Sequence, residues 1–102
     1  MTDILNIDVQ ELEDILLEEE IKYGEKAELI IYNDDFNTFD WVIQSLMEVC
    51  SHSFEQAEQS SLIVHYKGKA SVKNGILIEL KPLKDDLVDR GLSAVIETFA
   101  DK

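Results

Sequence analysis

Ala27-Glu28-Leu29-Ile30-Ile31-Tyr32, running directly into Asn33-Asp34-Asp35, is the stretch from which the fold is read. The first six residues suit a buried strand, because branched and aromatic side chains pack well on a pleated surface. The three polar residues that follow break the pattern and favour turns and helix caps. From Phe39 the apolar positions are Val42, Ile43, Leu46, Met47 and Cys50, the spacing of an amphipathic helix of about three turns. A second helix is expected from Ser53, where Ser53 and Gln56 have capping-box spacing. It runs through Ala57, Ser61 and Val64 and stops near Gly68, a good C-terminal cap.

Beyond Gly68 the period changes. Residues 69–72 and 76–80 flank Lys73-Asn74-Gly75, and Asn-Gly is a strong hairpin signal; a single bent strand is the other reading. Pro82 sits where a short helix can begin, continuing through Leu83, Leu87 and Val88 and closed by Arg90-Gly91. Residues 92–99 alternate as a last strand through Leu92, Ala94 and Ile96. The sum is an α+β fold, a small antiparallel β-sheet with helices packed on one face in β-α-α-β-α-β order. An acidic N-terminal arm precedes it. Residues 1–26 are read as that extension, part helix and part mobile, with Gly24 as the joint; residues 27–102 are the core domain. Leu5, Val9, Leu12 and Leu16 give the arm helical spacing, and Asp8 with Glu11 resembles a cap.

Charge narrows the function. The 102 residues carry a formal net charge of -13, with ten acids and two bases in residues 1–28. That balance argues against nucleic acid, whose phosphates are held by Lys and Arg, and against an anionic membrane surface. Aliphatic runs no longer than triplets such as Leu62-Ile63-Val64 exclude a transmembrane helix, which needs about 20 apolar residues. The opening Met1-Thr2-Asp3 lacks the pattern of a secretory signal. The single cysteine, Cys50, cannot form an internal disulfide and suits a reducing cytoplasm. A cytoplasmic protein is expected.

Catalytic chemistry is not legible. His52 and His65 pair with no nucleophile motif, and there is no glycine-rich phosphate loop, Cys-x-x-Cys or His-Glu-x-x-His. The histidine spacing matches no common metal site. No enzyme activity, cofactor or metal is expected. Asn33-Asp34-Asp35 and His65 carry the remaining chemistry. Turns and caps need Asn and Asp in any case, and a lone histidine among apolar neighbours is commonly structural. Together they are more telling, since a protonated amine needs a carboxylate and neutral acceptors converging on it. With both helices on one face of the sheet, the end of the second returns near the start of the first. Phe39, Val42 and Val64 then form an apolar wall beside the polar cluster, which suits an amine carrying a hydrophobic side chain, such as the first residue of a polypeptide.

At these residues the chain resembles the ClpS adaptors of the Clp protease. The resemblance covers about residues 27–98 and rests on Leu29-Ile30-Ile31-Tyr32-Asn33-Asp34-Asp35, on Phe39-Asp40-Trp41-Val42-Ile43, and on Val64-His65-Tyr66-Lys67-Gly68-Lys69-Ala70. It implies an adaptor that binds substrates by a destabilising N-terminal residue, usually Leu, Phe, Tyr or Trp. Such adaptors deliver them to a Clp AAA+ unfoldase of the ClpA or ClpC type that feeds the ClpP peptidase. On that resemblance Asn33, Asp34 and His65 hold the α-amino group. Asp35, Val42, Val64 and Leu92 line the side-chain pocket with Phe39 and Ser61, and Glu79 and Lys84 contact the unfoldase. The arm matches the family's extension, which engages the unfoldase during delivery.

The chain also departs from the family. Phe39 stands where members often carry the Met of a Thr-Pro-Met run, and Ser61 where many have another Met. The expectation is a reshaped pocket whose ranking of Leu, Phe, Tyr and Trp differs from that of Met-containing relatives. The segment between Lys84 and Gly91 is shorter, and Lys73-Asn74-Gly75 includes an apparent insertion. The alternative reading is a regulatory module that binds the unfoldase without recognising an N-terminal residue, with the acidic arm as its working part.

Overall fold

Six elements follow one another in the expected order: β1 (Lys26–Tyr32), α1 (Phe39–Cys50), α2 (Phe54–Lys67), β2 (Lys69–Ile76), α3 (Leu77–Asp89) and β3 (Ser93–Thr98). The structure, a computed structural model, describes residues 9–10 and 24–99. The arm's expected mixture of helix and mobile chain therefore lies almost wholly outside the described residues.

The sheet has the order β2-β1-β3, and both pairings are antiparallel. Every second residue of β1 turns inward: Ala27, Leu29 and Ile31 are buried. They share one core with Ala70 and Val72 of β2, Ala94 of β3, Ile43, Leu46 and Cys50 of α1, Ala57 and Val64 of α2, and Leu80 and Leu87 of α3. All three helices thus lay their apolar faces on the same side of the sheet. At the far end of β1, Tyr32 pairs with Lys69 on one side and with Ser93 on the other. The end of the first strand and the starts of the other two therefore meet at one edge, where the site is built.

Both helices read from periodicity form within the expected bounds. The Thr38 hydroxyl accepts from the Trp41 amide and caps α1. The Ser53 hydroxyl accepts from the Gln56 amide and caps α2. Gly68 ends α2 at φ 90°, a left-handed conformation that costs a side-chain-bearing residue energy and glycine none.

Around the insertion one open choice is decided and one reading is corrected. Lys73-Asn74-Gly75 takes the bent-strand alternative and not the hairpin: β2 is a single strand in which Asn74 pairs with Glu28 and Gly75 with Ala27. A tight Asn-Gly turn needs positive φ at both residues, and among the described residues only Ser51, Gly68 and Gly91 have it. The strand bends instead, with Val72 skipped in the pairing beside Leu29 and Ile30. Gly75 lies against Leu80, and a Cβ there would make ordinary contact with the Leu80 Cδ2 at 3.5 Å, so neither space nor backbone conformation demands glycine.

Residues 77–80 are then helical and not strand, and α3 starts at Leu77, well before Pro82. Pro82 cannot donate to the Ile78 carbonyl and ordinarily breaks a helix interior. Leu80 and Leu87, both buried, with Leu83 between them, fasten the segment to the sheet. The Leu77 amide finds its partner across the fold, donating to the Glu25 carbonyl at 2.9 Å. These tertiary contacts replace the missing side-chain cap.

Candidate functional site

The Asn33-Asp34-Asp35 turn and the end of α2 are joined by one backbone bond: the Asn33 amide donates to the Gly68 carbonyl at 2.8 Å. This bond carries the strand end to the helix end, and His65 lies on the last turn of that helix. Two adjoining hollows result. One, of about 290 Å³ with its open mouth, is lined by Asn33, Asn37, Phe39, Ser61 and His65. The other, shallower and about 210 Å³ only when the open space at its mouth is counted, is lined by Ile31, Tyr32, Asp34 and Leu92. Asn33, Asn37, Val42 and Val64 border both.

Most residues singled out from sequence therefore meet here: Asn33, Asp34, Phe39, Val42, Ser61, Val64, His65 and Leu92. Asp35 lies on the exposed bend and borders neither hollow. Glu79 and Lys84 sit on α3, away from the cavity, and Lys84 pairs with Asp85 at 3.0 Å.

Asp34 is the electrostatic centre of the turn. Its Oδ1 accepts from the Phe36 amide at 2.9 Å and the Asn37 amide at 2.8 Å. Its Oδ2 accepts from the Asn37 Nδ2 at 2.8 Å and the Ser93 hydroxyl at 3.3 Å. Partial burial pushes this carboxyl up, but the bonds from Asn37, Phe36 and Ser93 outweigh it and hold it below the ordinary value. An ionised carboxylate has about four lone-pair sites, so Asp34 is fully occupied in shaping the loop. Its charge still acts on the hollow it borders.

By contrast, the Asn33 side-chain amide and the His65 imidazole make no hydrogen bond among the described residues. His65 is exposed and stands edge-on to Tyr66, ring centroids 5.1 Å apart. The aromatic rings of Phe36, 93% exposed, and Tyr66, 79% exposed, belong to the same two segments. The corner thus combines unpaired acceptors, a fixed negative charge and an apolar wall.

Sequence reading missed Asn37, which holds the corner together. Besides reaching Asp34, its Nδ2 donates to the Gly91 carbonyl at 2.9 Å. Nearby, the Trp41 Nε1 donates to the Arg90 carbonyl at 3.0 Å, and the Arg90 guanidinium lies over the indole at 5.6 Å and bonds Glu48 at 2.6 Å. These contacts fix the loop that presents Leu92 to the hollow. No local motif announces Asn37, since its partners are 3 and 54 residues away.

The other histidine and the cysteine lie elsewhere. The His52 Nε2 donates to the Val72 carbonyl at 2.7 Å, tying the α1–α2 connection to β2. Cys50 is buried, and that burial pushes its thiol up, more than the nearby Lys73 draws it down. A raised thiol in an apolar setting is unreactive. Among the described residues no group of three or more His, Cys, Asp or Glu is placed to hold a metal. Nor is any helix there long and apolar enough to cross a membrane.

Acceptors gathered beside an apolar hollow, on a helix-backed antiparallel sheet, define a small α+β binding domain. Comparison with known proteins makes the class more specific. The chain belongs to the ClpS family: the family model for ATP-dependent Clp protease adaptor protein ClpS matches residues 22–94. It is 40% identical over 55 residues to the ATP-dependent Clp protease adapter protein ClpS of Oleidesulfovibrio alaskensis, 54% of this chain and 53% of that relative. Against the protein of the same name from Erwinia tasmaniensis it is 38% identical over 64 residues, 63% of this chain and 60% of the relative. The matches thus span between half and two thirds of these relatives. Among solved structures, Agrobacterium tumefaciens ClpS2 bound to L-phenylalaninamide shares the fold, with a TM-score of 0.71 at 18% identity, covering 74% of this chain and 98% of that one.

Proposed function

We propose that this protein binds the free N-terminus of polypeptides whose first residue is large and hydrophobic, and delivers them to a Clp AAA+ unfoldase for degradation. The observation that carries this reading is the Asn33–Gly68 bond, which brings the acidic turn and His65 to one apolar-walled hollow. The Asn33 side-chain oxygen and a neutral His65 ring take the protons of the ammonium group. Asp34, occupied by its own loop, stabilises the cation by charge, and Asp35 adds to the local negative potential. Phe39, Val42, Val64, Ser61 and Leu92 receive the side chain. Likeness to an adaptor solved with an amino-acid amide supports the same reading.

No bond is made or broken in this scheme, so the protein works as an adaptor and not an enzyme. Residues 27–102 form the adaptor core, and the acidic residues 1–26, with Glu79 and Lys84, face the unfoldase. A net charge of -13 supports an adaptor that avoids nucleic acid and anionic membrane, and the single Cys50 suits a reducing cytoplasm.

Fluorescence anisotropy with a Leu- or Phe-initiated peptide and its acetylated twin tests recognition. Acetylation removes the charge and two donors, so bonds from a charged donor to the exposed Asn33 and His65 are lost, about 1.5–3 kcal/mol before water replaces part of it. Affinity is expected to fall by about tenfold or more. Equal affinity for the twins would refute the reading and favour an unfoldase-binding module that recognises no N-terminal residue.

A further inference from the structure

Three buried side-chain polar atoms among the described residues lack a hydrogen-bond partner: Ser45 Oγ, His52 Nδ1 and Ser61 Oγ. Of these, only Ser61 borders the candidate site. Its residue is 2% exposed, so bulk water does not satisfy the hydroxyl. A serine inside a helix commonly bonds back to the carbonyl four residues earlier, and Ser61 makes no such bond. A buried polar group of this kind is unfavourable until something pairs with it. Of its neighbours on the hollow's wall, Phe39, Val42 and Val64 have no polar side-chain atom to offer, and Asn33, Asn37 and His65 make no bond to it. A ligand filling the hollow can supply the partner.

Position along α2 says which part of the ligand that is. Ser61 and His65 are four residues apart, on one face of the helix and separated by about 6 Å along its axis. With the α-amino group held at His65, a side chain laid along the wall brings its far end toward Ser61. That spacing is comparable to the reach of an aromatic side chain from its α-carbon to its para position.

We propose that Ser61 selects for a first residue whose side chain ends in a hydrogen-bonding group, so that N-terminal tyrosine is preferred over phenylalanine. This deepens the N-terminal-residue reading above and rests on it. The phenol oxygen both donates and accepts, so it pairs with the serine hydroxyl in either sense. Phenylalanine, otherwise the same shape, leaves that hydroxyl unpaired.

The test measures the affinity of Tyr- and Phe-initiated peptides of otherwise identical sequence, with the acetylated twin of each, for the full chain and for Ser61→Ala. One net hydrogen bond corresponds to a Tyr-over-Phe preference of about three- to tenfold in the natural chain. In Ser61→Ala the ratio is expected to fall to near unity. The substitution removes an unsatisfied hydroxyl and improves helix propensity, and a thermal melt checks that the variant is folded. Amine-dependent binding of both peptides with the same ratio in both proteins, or with phenylalanine preferred by the natural chain, overturns this inference and leaves the wider reading standing. Binding indifferent to acetylation overturns both.

Discussion

Replacing Asn37 by Ala tests whether the binding corner is held together as described. The substitution deletes the bond to the Asp34 carboxylate at 2.8 Å and the bond to the Gly91 carbonyl at 2.9 Å. The backbone bond from the Asn37 amide to Asp34 Oδ1 remains. A hydrogen bond to a charged group contributes about 1.5–3 kcal/mol and a neutral one about 0.5–1.5 kcal/mol. Both sites are reached by water, which replaces part of what is lost, so the expected destabilisation is about 1–2 kcal/mol. For a domain of this size that lowers Tm by roughly 5–15 °C. Asn37→Asp is the sharper variant, because it sets a second carboxylate against Asp34 Oδ2 and an acceptor against the Gly91 carbonyl. At neutral pH it is expected to be less stable than Asn37→Ala, and the gap closes as pH falls and the carboxyls are neutralised. Thermal melts of the three proteins across pH decide the matter. If Asn37→Asp melts with the natural protein at neutral pH, the bridge between the acidic turn and Gly91 is not what stabilises the corner.

Two further outcomes follow from the same geometry. Gly68→Ala meets no atom within 4 Å of the new Cβ, so only its φ of 90° opposes it; urea denaturation should show a cost of about 1–2 kcal/mol, and a much larger loss would mean that a steric clash had been overlooked. Asp34, with its folded pKa held below the ordinary 3.8, contributes stability that is present above that value and lost as pH falls through the lowered one. Below pH 4 the natural chain should therefore lose stability more steeply than Asp34→Asn, and parallel curves would remove Asp34 from the account.

What neighbours along the chain can settle, the residues alone settle here. The apolar spacing of Val42, Ile43, Leu46 and Cys50, the Ser53 cap and the Gly68 stop are local in character, and α1 and α2 form where they indicate. The inward alternation of β1 is equally local. The region after Val72 misleads because its decisive partners are remote. Asn74-Gly75 resembles a turn, yet both residues pair with β1, Asn74 with Glu28 and Gly75 with Ala27. Pro82 resembles a helix start, yet packing of Leu80 and Leu87 and the Glu25 carbonyl set the boundary at Leu77.

The binding corner divides in the same way. That Asn33, Asp34 and His65 belong together was readable, because the proposed amine recognition calls for those functional groups wherever they stand. How they are held was not. Asn33 reaches Gly68 across 35 residues and Asn37 reaches Gly91 across 54. Asp34 is filled by its own loop together with Ser93 of β3, and the Ser61 hydroxyl is left without a partner. Hydrogen-bond satisfaction depends on what arrives from distant parts of the chain, and only the assembled sheet, with three loops gathered at one end of its strands, determines that.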